Sequence, residues 1–99
     1  ECRYFVNRGQ VVGVGHYRGD PLKLPDGYVV RHAVKVYEDS GEAPVAYTID
    51  FGVISNGETV LVEVNDGFAF GCYGLNSLKH ARMLEDRWCQ MVDLPLTVR

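Results

Sequence analysis

The sequence predicts an α+β domain in which two β-hairpins form an antiparallel sheet, with two helices packed on one side of it in the order ββαββα. Two patterns lead to this class. Two pairs of strand-like segments are each joined by a turn that contains glycine, and two other segments repeat apolar residues at helical spacing. A length of 99 residues is enough for a single domain with one modest core.

The first hairpin is predicted near the start of the chain. Cys2–Val6 and Gln10–Tyr17 are both rich in aromatic and β-branched residues, which favour strands. Asn7-Arg8-Gly9 separates them and offers a glycine for a positive φ.

The first helix is predicted from Tyr28 to Ser40. Asp26 is a candidate N-cap, and Gly41 can end the helix in a left-handed conformation. Polar residues fill the other side of this helix. Its apolar side is expected to comprise Val29, Val30, Ala33, Val34 and Tyr37.

The second helix is predicted from about Asn76 or Ser77, either of which could cap it, to about Val92. A glycine-rich loop from Asp66 to Gly74 precedes it. The apolar side of this helix is expected to comprise Leu78, Ala81, Leu84, Trp88 and Met91.

The second hairpin is the clearest element. Val45–Val53 and Thr59–Asn65 alternate apolar and polar residues around Asn56-Gly57, a strong hairpin signal. If Asn56-Gly57 is a two-residue type I′ turn, the register of the two strands follows. The paired positions are then Ser55 with Glu58, Phe51 with Val62, Asp50 with Glu63, Ile49 with Val64, and Thr48 with Asn65.

This register places Asp50, Glu63 and Asn65 on one face, opposite an apolar face that can join the core. Like charges facing each other across a strand pair are destabilising, by less than about 1 kcal/mol when exposed. A divalent cation between them reverses that interaction, and hard oxygen donors suit Mg²⁺ or Mn²⁺. The alternative is that all three are ordinary polar residues on the solvent-exposed face of a half-buried sheet, with no ligand.

Bulk properties exclude several other classes of function. A formal net charge of −3, with no two Lys or Arg residues adjacent, argues against a nucleic-acid-binding surface. No apolar stretch approaches the roughly 20 residues that a membrane-spanning helix needs. Cys2, Cys72 and Cys89 are too far apart for a zinc site and odd in number, so we expect free thiols in a reducing cytoplasm.

These motifs resemble those of the ATP-grasp superfamily, and within it the clade named for two arginines and a lysine. The resemblance rests on the strand with Asp50-Phe51-Gly52, the Asn56-Gly57 turn, and Glu63-Val64-Asn65 on the next strand. The opening strand with Arg3 and the later Arg18 resemble the preceding hairpin of that family. The resemblance extends from Glu1 to about Val92.

The resemblance implies the C-terminal subdomain of an ATP-grasp fold, with residues 1–99 as one domain of a larger protein. Asp50, Glu63 and Asn65 would bind Mg²⁺ or Mn²⁺ and, with Arg3, ATP. Arg3 and Arg18 would stabilise the transferred phosphoryl group. The implied reaction is an ATP-dependent ligation of a carboxylate and an amine through an acyl phosphate, completed by a missing N-terminal half that contacts the α and β phosphates.

A second hypothesis is a non-catalytic module that mediates dimerisation or binds a peptide. A subdomain separated from its partner half would expose apolar surface and could form a homodimer for that reason. The sequence does not identify the acid, the amine or the residues that bind adenine.

Overall fold

The structure is a computed structural model that describes residues 1–16, 18–67 and 75–98. It confirms the predicted α+β class and the order ββαββα. Residues 68–74, most of the predicted loop and Cys72 among them, lie outside the described residues. The elements are β1 (Cys2–Asn7), β2 (Gln10–His16), α1 (Gly27–Asp39), β3 (Ala46–Val53), β4 (Thr59–Asp66) and α2 (Ser77–Met91).

The four strands form one antiparallel sheet in the order β2-β1-β3-β4. Each hairpin contributes two neighbouring strands, and the two hairpins join where β1 pairs with β3. β1 and β3 are therefore the central strands, and most of their residues are buried. β2 and β4 form the two edges of the sheet.

The first hairpin turns through Arg8 and Gly9, whose φ angles of 52° and 76° are both positive. Two positive φ angles between the paired residues Asn7 and Gln10 define a type I′ turn, which suits the twist of a hairpin. The Arg8 backbone N–H donates to the Val45 carbonyl at 2.8 Å, which ties this turn to the segment before β3.

The second hairpin has the predicted register only up to Asp50. Asp50 faces Glu63, but a bulge then places Phe51 opposite Leu61, so the prediction that Phe51 faces Val62 is wrong. The turn is the reason. Gly57 has a positive φ of 87° whereas Asn56 does not, and the Ile54 N–H donates to the Glu58 carbonyl. The loop thus contains three residues rather than the two of a type I′ turn.

Each helix begins at the predicted cap. The Asp26 side chain accepts a hydrogen bond from the Tyr28 N–H at 2.8 Å, and the Asn76 side chain accepts one from the Leu78 N–H at 2.9 Å. After α1, Gly41 adopts a φ of 76°, as expected for a residue that ends a helix.

The two helices lie on opposite faces of the sheet, which corrects the expectation that they share one. Val30 and Val34 of α1 pack with Val6 of β1, whereas Met83 of α2 packs with the adjacent residue Phe5. Successive residues of a strand point to opposite faces, so the sheet lies between the two helices.

The buried side of α2 also differs from the predicted one. Met83 and Asp86 are completely buried, while side chains of the predicted apolar side are exposed, Leu78 by 57% and Trp88 by 60%. Met83 packs with Phe5 and Ala46 of the sheet, and Asp86 and the neighbouring Arg87 form ion pairs with Arg8 and Asp66, so apolar and ionic contacts together hold this side of α2 against the sheet.

Two further expectations concern the environment of the chain. Cys2 and Cys89 are free thiols, as predicted. Over the described ranges, no helix combines the length and the apolar character required to cross a membrane.

Candidate metal and nucleotide site

The sheet brings three of the predicted site residues together. Asp50 on β3 lies directly across from Glu63 on β4 and directly across from Arg3 on β1. Directly opposed residues of neighbouring strands point to the same face, so the three side chains form a row across three strands. This face is the one that α2 covers in part.

Arg3 and Asp50 form a buried two-point ion pair. The Arg3 Nε donates to Asp50 Oδ1 at 3.0 Å, and Nη2 donates to Oδ2 at 2.9 Å. Arg3 is 4% exposed and Asp50 is inaccessible. A buried carboxylate needs such compensation, because its desolvation is otherwise unfavourable. Arg3 Nη2 also lies 3.6 Å from Glu63 Oε1, so one guanidinium serves two carboxylates.

Glu63 and Asn65 lie at the accessible side of the row. The Glu63 side chain is 50% exposed, and its Oε1 accepts a hydrogen bond from Asn65 Nδ2 at 3.1 Å. Asn65 faces Thr48, as predicted, and so shares the face of Asp50. Its amide nitrogen is directed to Glu63, which leaves the amide oxygen as the donor to offer a cation.

Glu1 belongs to the same cluster, and the sequence reasoning missed it. Carboxylate oxygens of Glu1, Asp50 and Glu63 all lie within 4.8 Å of one another. Burial raises the pKa of Glu1, and its hydrogen bond to Asp50 and the negative charge of Asp50 raise this pKa further. Strand alternation offered a signal, because Glu1 precedes Arg3 by two residues and so shares its face.

Arg18 lies beside this cluster, at the end of the first hairpin. Its backbone N–H donates to the Glu1 carbonyl at 3.1 Å, and its positive charge lowers the pKa of Glu1 against the effects that raise it. Arg18 is exposed, whereas Arg3 is buried next to Asp50. Of the two arginines expected at the site, one is therefore buried within it and the other is accessible to solvent.

The donor set fits Mg²⁺ or Mn²⁺. The site offers three carboxylates and an amide oxygen, all hard donors, and the buried Arg3 offsets part of their negative charge. Two ligands on opposite sides of Mg²⁺ are about 4.2 Å apart, given a metal–oxygen distance of about 2.1 Å. The ligand atoms of Glu1, Asp50 and Glu63 lie within 4.8 Å of one another, which is close to that separation.

A cleft of about 780 Å³ lies elsewhere, at the turn of the first hairpin. Arg8, Arg31, Lys35 and Glu38 line it, and none of the predicted site residues does. The acidic cluster lies outside this cleft, and among its carboxylates the Glu63 side chain is half exposed.

A comparison with protein families supplies independent information. The model of an ATP-grasp domain family, the second family of the clade named for two arginines and a lysine, matches residues 1–83. The chain belongs to this ATP-grasp family. The matched range contains Glu1, Arg3, Arg18 and the three predicted metal ligands. No curated protein and no solved structure matches the chain.

Membership in this family confirms the resemblance derived from the sequence. ATP-grasp domains bind ATP together with Mg²⁺, and members of the superfamily are generally ligases. The ββαββα arrangement of the chain agrees with an ATP-grasp subdomain.

Proposed function

We propose that this chain is the metal- and nucleotide-binding half of an ATP-dependent carboxylate–amine ligase that works through an acyl phosphate. The observation that carries the proposal is the juxtaposition of Asp50 and Glu63 across neighbouring strands, with Glu1 within 4.8 Å of both. Like charges in this arrangement favour a cation between them.

Asp50, Glu63 and Asn65 would hold one or two Mg²⁺ or Mn²⁺ ions, with Glu1 as a further carboxylate donor. A divalent ion at this position supplies charge neutralisation for the phosphates of ATP during phosphoryl transfer. Asn65 helps to hold the Glu63 carboxylate in place through its 3.1 Å hydrogen bond. Because Glu63 is half exposed, it can reach an ion that is shared with a nucleotide.

The positive charges of Arg18 and Arg3 would stabilise the transferred phosphoryl group. Arg18 is exposed beside Glu1 and can contact the group directly, while the buried Arg3 contributes its charge from its position next to Asp50. The substrate classes are a carboxylate, which accepts the phosphoryl group, and an amine, which then displaces it.

A second half of the clamp would complete the ATP site. The chain has three lysines, Lys23, Lys35 and Lys79, and none of them lies in a strand of the sheet. Contacts to the α and β phosphates would therefore come from an N-terminal ATP-grasp half. The free thiols of Cys2 and Cys89 are compatible with a reducing compartment such as the cytoplasm.

The proposal is tested by replacing Glu63 with Gln in the intact ligase. We expect loss of most ATP-dependent activity with an unchanged circular dichroism spectrum, since Glu63 is half exposed and outside the core. Glu58→Gln, an exposed change on the turn of the same hairpin, is the matched control and should leave activity unchanged. Activity of the Glu63 variant within a few-fold of the wild type would count against the assignment.

A specific observation also favours a second candidate, a peptide-binding module. β4 is an edge strand, and beside it lies a groove of about 530 Å³ lined mainly by apolar side chains, among them Val36, Ile49, Leu61 and Val64. An extended peptide could add to such an edge. Failure of the chain to bind Mn²⁺, together with capture of apolar peptides, would favour this candidate over the ligase.

A further inference from the structure

The Arg3–Asp50 pair has a consequence for how the metal ligands are held. We propose that Arg3 is a positioning residue, which fixes the Asp50 carboxylate in the orientation that a divalent cation requires. This inference rests on the proposed metal site. It concerns a task for Arg3 that is separate from any effect of its charge on the phosphoryl group.

The inference rests on the geometry of the two-point ion pair between Arg3 and Asp50, which we call a fork. Each Asp50 oxygen accepts one N–H from Arg3, at 3.0 and 2.9 Å. A carboxylate oxygen has two lone pairs, so the two contacts with Arg3 leave two of the four lone pairs of Asp50. The hydrogen bond with Glu1 engages one of these, and at least one remains for a cation. Two parallel hydrogen bonds also prevent rotation of the carboxylate plane, which a single bond would permit.

The depth of Arg3 supports the same role. The Arg3 side chain is 5% exposed and that of Asp50 is inaccessible, whereas the Glu63 side chain is 50% exposed, so the Arg3–Asp50 pair lies on the buried side of the cluster. Groups that orient metal ligands from behind typically change metal affinity about 10- to 100-fold when they are removed. A lysine cannot replace this function, because its ammonium is a point charge without the planar fork.

The chain contains an internal control for this chemistry. Arg8 and Asp86 form the same type of fork, with distances of 2.8 and 3.0 Å, and Asp86 is also completely buried. Arg8 lies at the turn of the first hairpin, at the opposite end of β1 from Arg3 and away from the acidic cluster. Arg8→Lys therefore breaks the same type of two-point ion pair at a distance from the metal ligands.

The experiment is a titration of the 99-residue chain with Mn²⁺, followed by the electron paramagnetic resonance signal of the free ion. We expect Arg3→Lys to weaken Mn²⁺ binding about 10- to 100-fold and Arg8→Lys to leave it within about threefold. Arg3→Gln should also weaken binding. If Arg3 acts only as a neighbouring charge, Arg3→Gln would strengthen Mn²⁺ binding and Arg3→Lys would not change it, and that pattern would overturn the inference.

The outcomes separate this inference from the proposed function. Absence of Mn²⁺ binding by the wild-type chain would remove the metal site and the inference together. Wild-type binding that Glu63→Gln abolishes and a folded Arg3→Lys variant retains would overturn the inference alone. If the Arg3→Lys variant does not fold, the inference is tested on the wild-type chain by measuring how well the Arg3 Nε–H is protected from solvent exchange. This protection should persist when Mg²⁺ is added, and its loss would contradict the positioning role.

Discussion

Gly67 lies so close to Ala46 that a Cβ atom on Gly67 would be 2.4 Å from the Ala46 carbonyl oxygen. Gly67 directly follows the last residue of β4, and Asn65 is two residues before it. The contact joins the end of the proposed metal-binding strand to the start of the neighbouring strand. Glycine is required here for space, since any side chain would push β4 away from β3.

Gly67→Ala is therefore expected to destabilise the chain by about 1–3 kcal/mol, the usual cost of inserting a methyl group into a packed region. The clashing atom belongs to the backbone and cannot rotate away. Urea denaturation measures the effect. Gly27→Ala is the control, because a Cβ at Gly27 has open space and alanine favours α1, so stability should rise by up to about 1 kcal/mol. Equal stabilities of the two variants would contradict the close approach.

The placement of α2 gives a second prediction. Met83→Ala is expected to lower the free energy of unfolding by about 2–5 kcal/mol, because Met83 is completely buried. Trp88→Gln should change it by no more than about 0.5 kcal/mol, because Trp88 is 60% exposed. If Trp88→Gln were the more destabilising change, α2 would instead pack against the sheet through the side that contains Leu78 and Trp88.

The Arg8–Asp86 pair gives a third prediction, which states which of its two residues is more costly to replace. Arg8→Ala removes the two-point ion pair from the completely buried Asp86 carboxylate, whereas Asp86→Ala leaves a guanidinium that can reach water, since the Arg8 side chain is 32% exposed. Arg8→Ala should therefore be the more destabilising change, and the double variant should be more stable than Arg8→Ala alone. Chemical denaturation of the wild type and the three variants gives the free energies of unfolding for this double-mutant cycle. If the effects of the two single substitutions simply add in the double variant, Arg8 and Asp86 are not coupled.

A fourth prediction concerns pH. Burial raises the pKa of Glu38, and the nearby charge of Asp39 raises it further. A carboxyl group with a raised pKa in the folded state binds its proton more tightly there than in the unfolded chain. Its contribution to stability is therefore present below the unfolded pKa and is lost as the pH rises through the folded pKa.

Glu38→Gln should accordingly be more stable than the wild type at neutral pH, and this advantage should disappear in acid. The reason is that the Glu38 Oε1 atom is buried with no hydrogen-bond partner among the described residues, so ionisation is not compensated there. Thermal unfolding between about pH 4 and pH 8 measures the difference. Glu42→Gln, at an exposed position, is the control. A Glu38→Gln advantage that did not depend on pH would contradict the account.

The register around the site was predictable from local pattern. Alternation along both strands and the Asn56-Gly57 turn placed Asp50 across from Glu63, as observed. The turn type was not predictable in detail, because Asn-Gly is compatible with both two- and three-residue loops. The resulting bulge falls between Asp50 and Phe51, just beyond the site, so the error affected the core pairing and not the acidic pair.

Features that depend on distant residues were less accessible to sequence reasoning. Arg8 and Asp86 are 78 residues apart, yet their ion pair helps decide which side of α2 faces the sheet. Likewise, Arg3 could be assigned to the site by family resemblance, but its partner Asp50 followed only from the pairing of β1 with β3. Glu1 was within reach of the alternation argument once Arg3 had been placed.

The central claim is that a divalent cation binds where Asp50 and Glu63 face each other. Paramagnetic broadening by Mn²⁺ tests it most directly, since amide signals of a ¹⁵N-labelled chain disappear first near the ion. We predict that the signals of Arg3, Asp50, Glu63 and Asn65 broaden at the lowest Mn²⁺ concentrations, and that added Mg²⁺ restores them. Broadening that instead begins at other exposed acids such as Asp20 and Asp93, with the β3–β4 signals unaffected, would contradict the account.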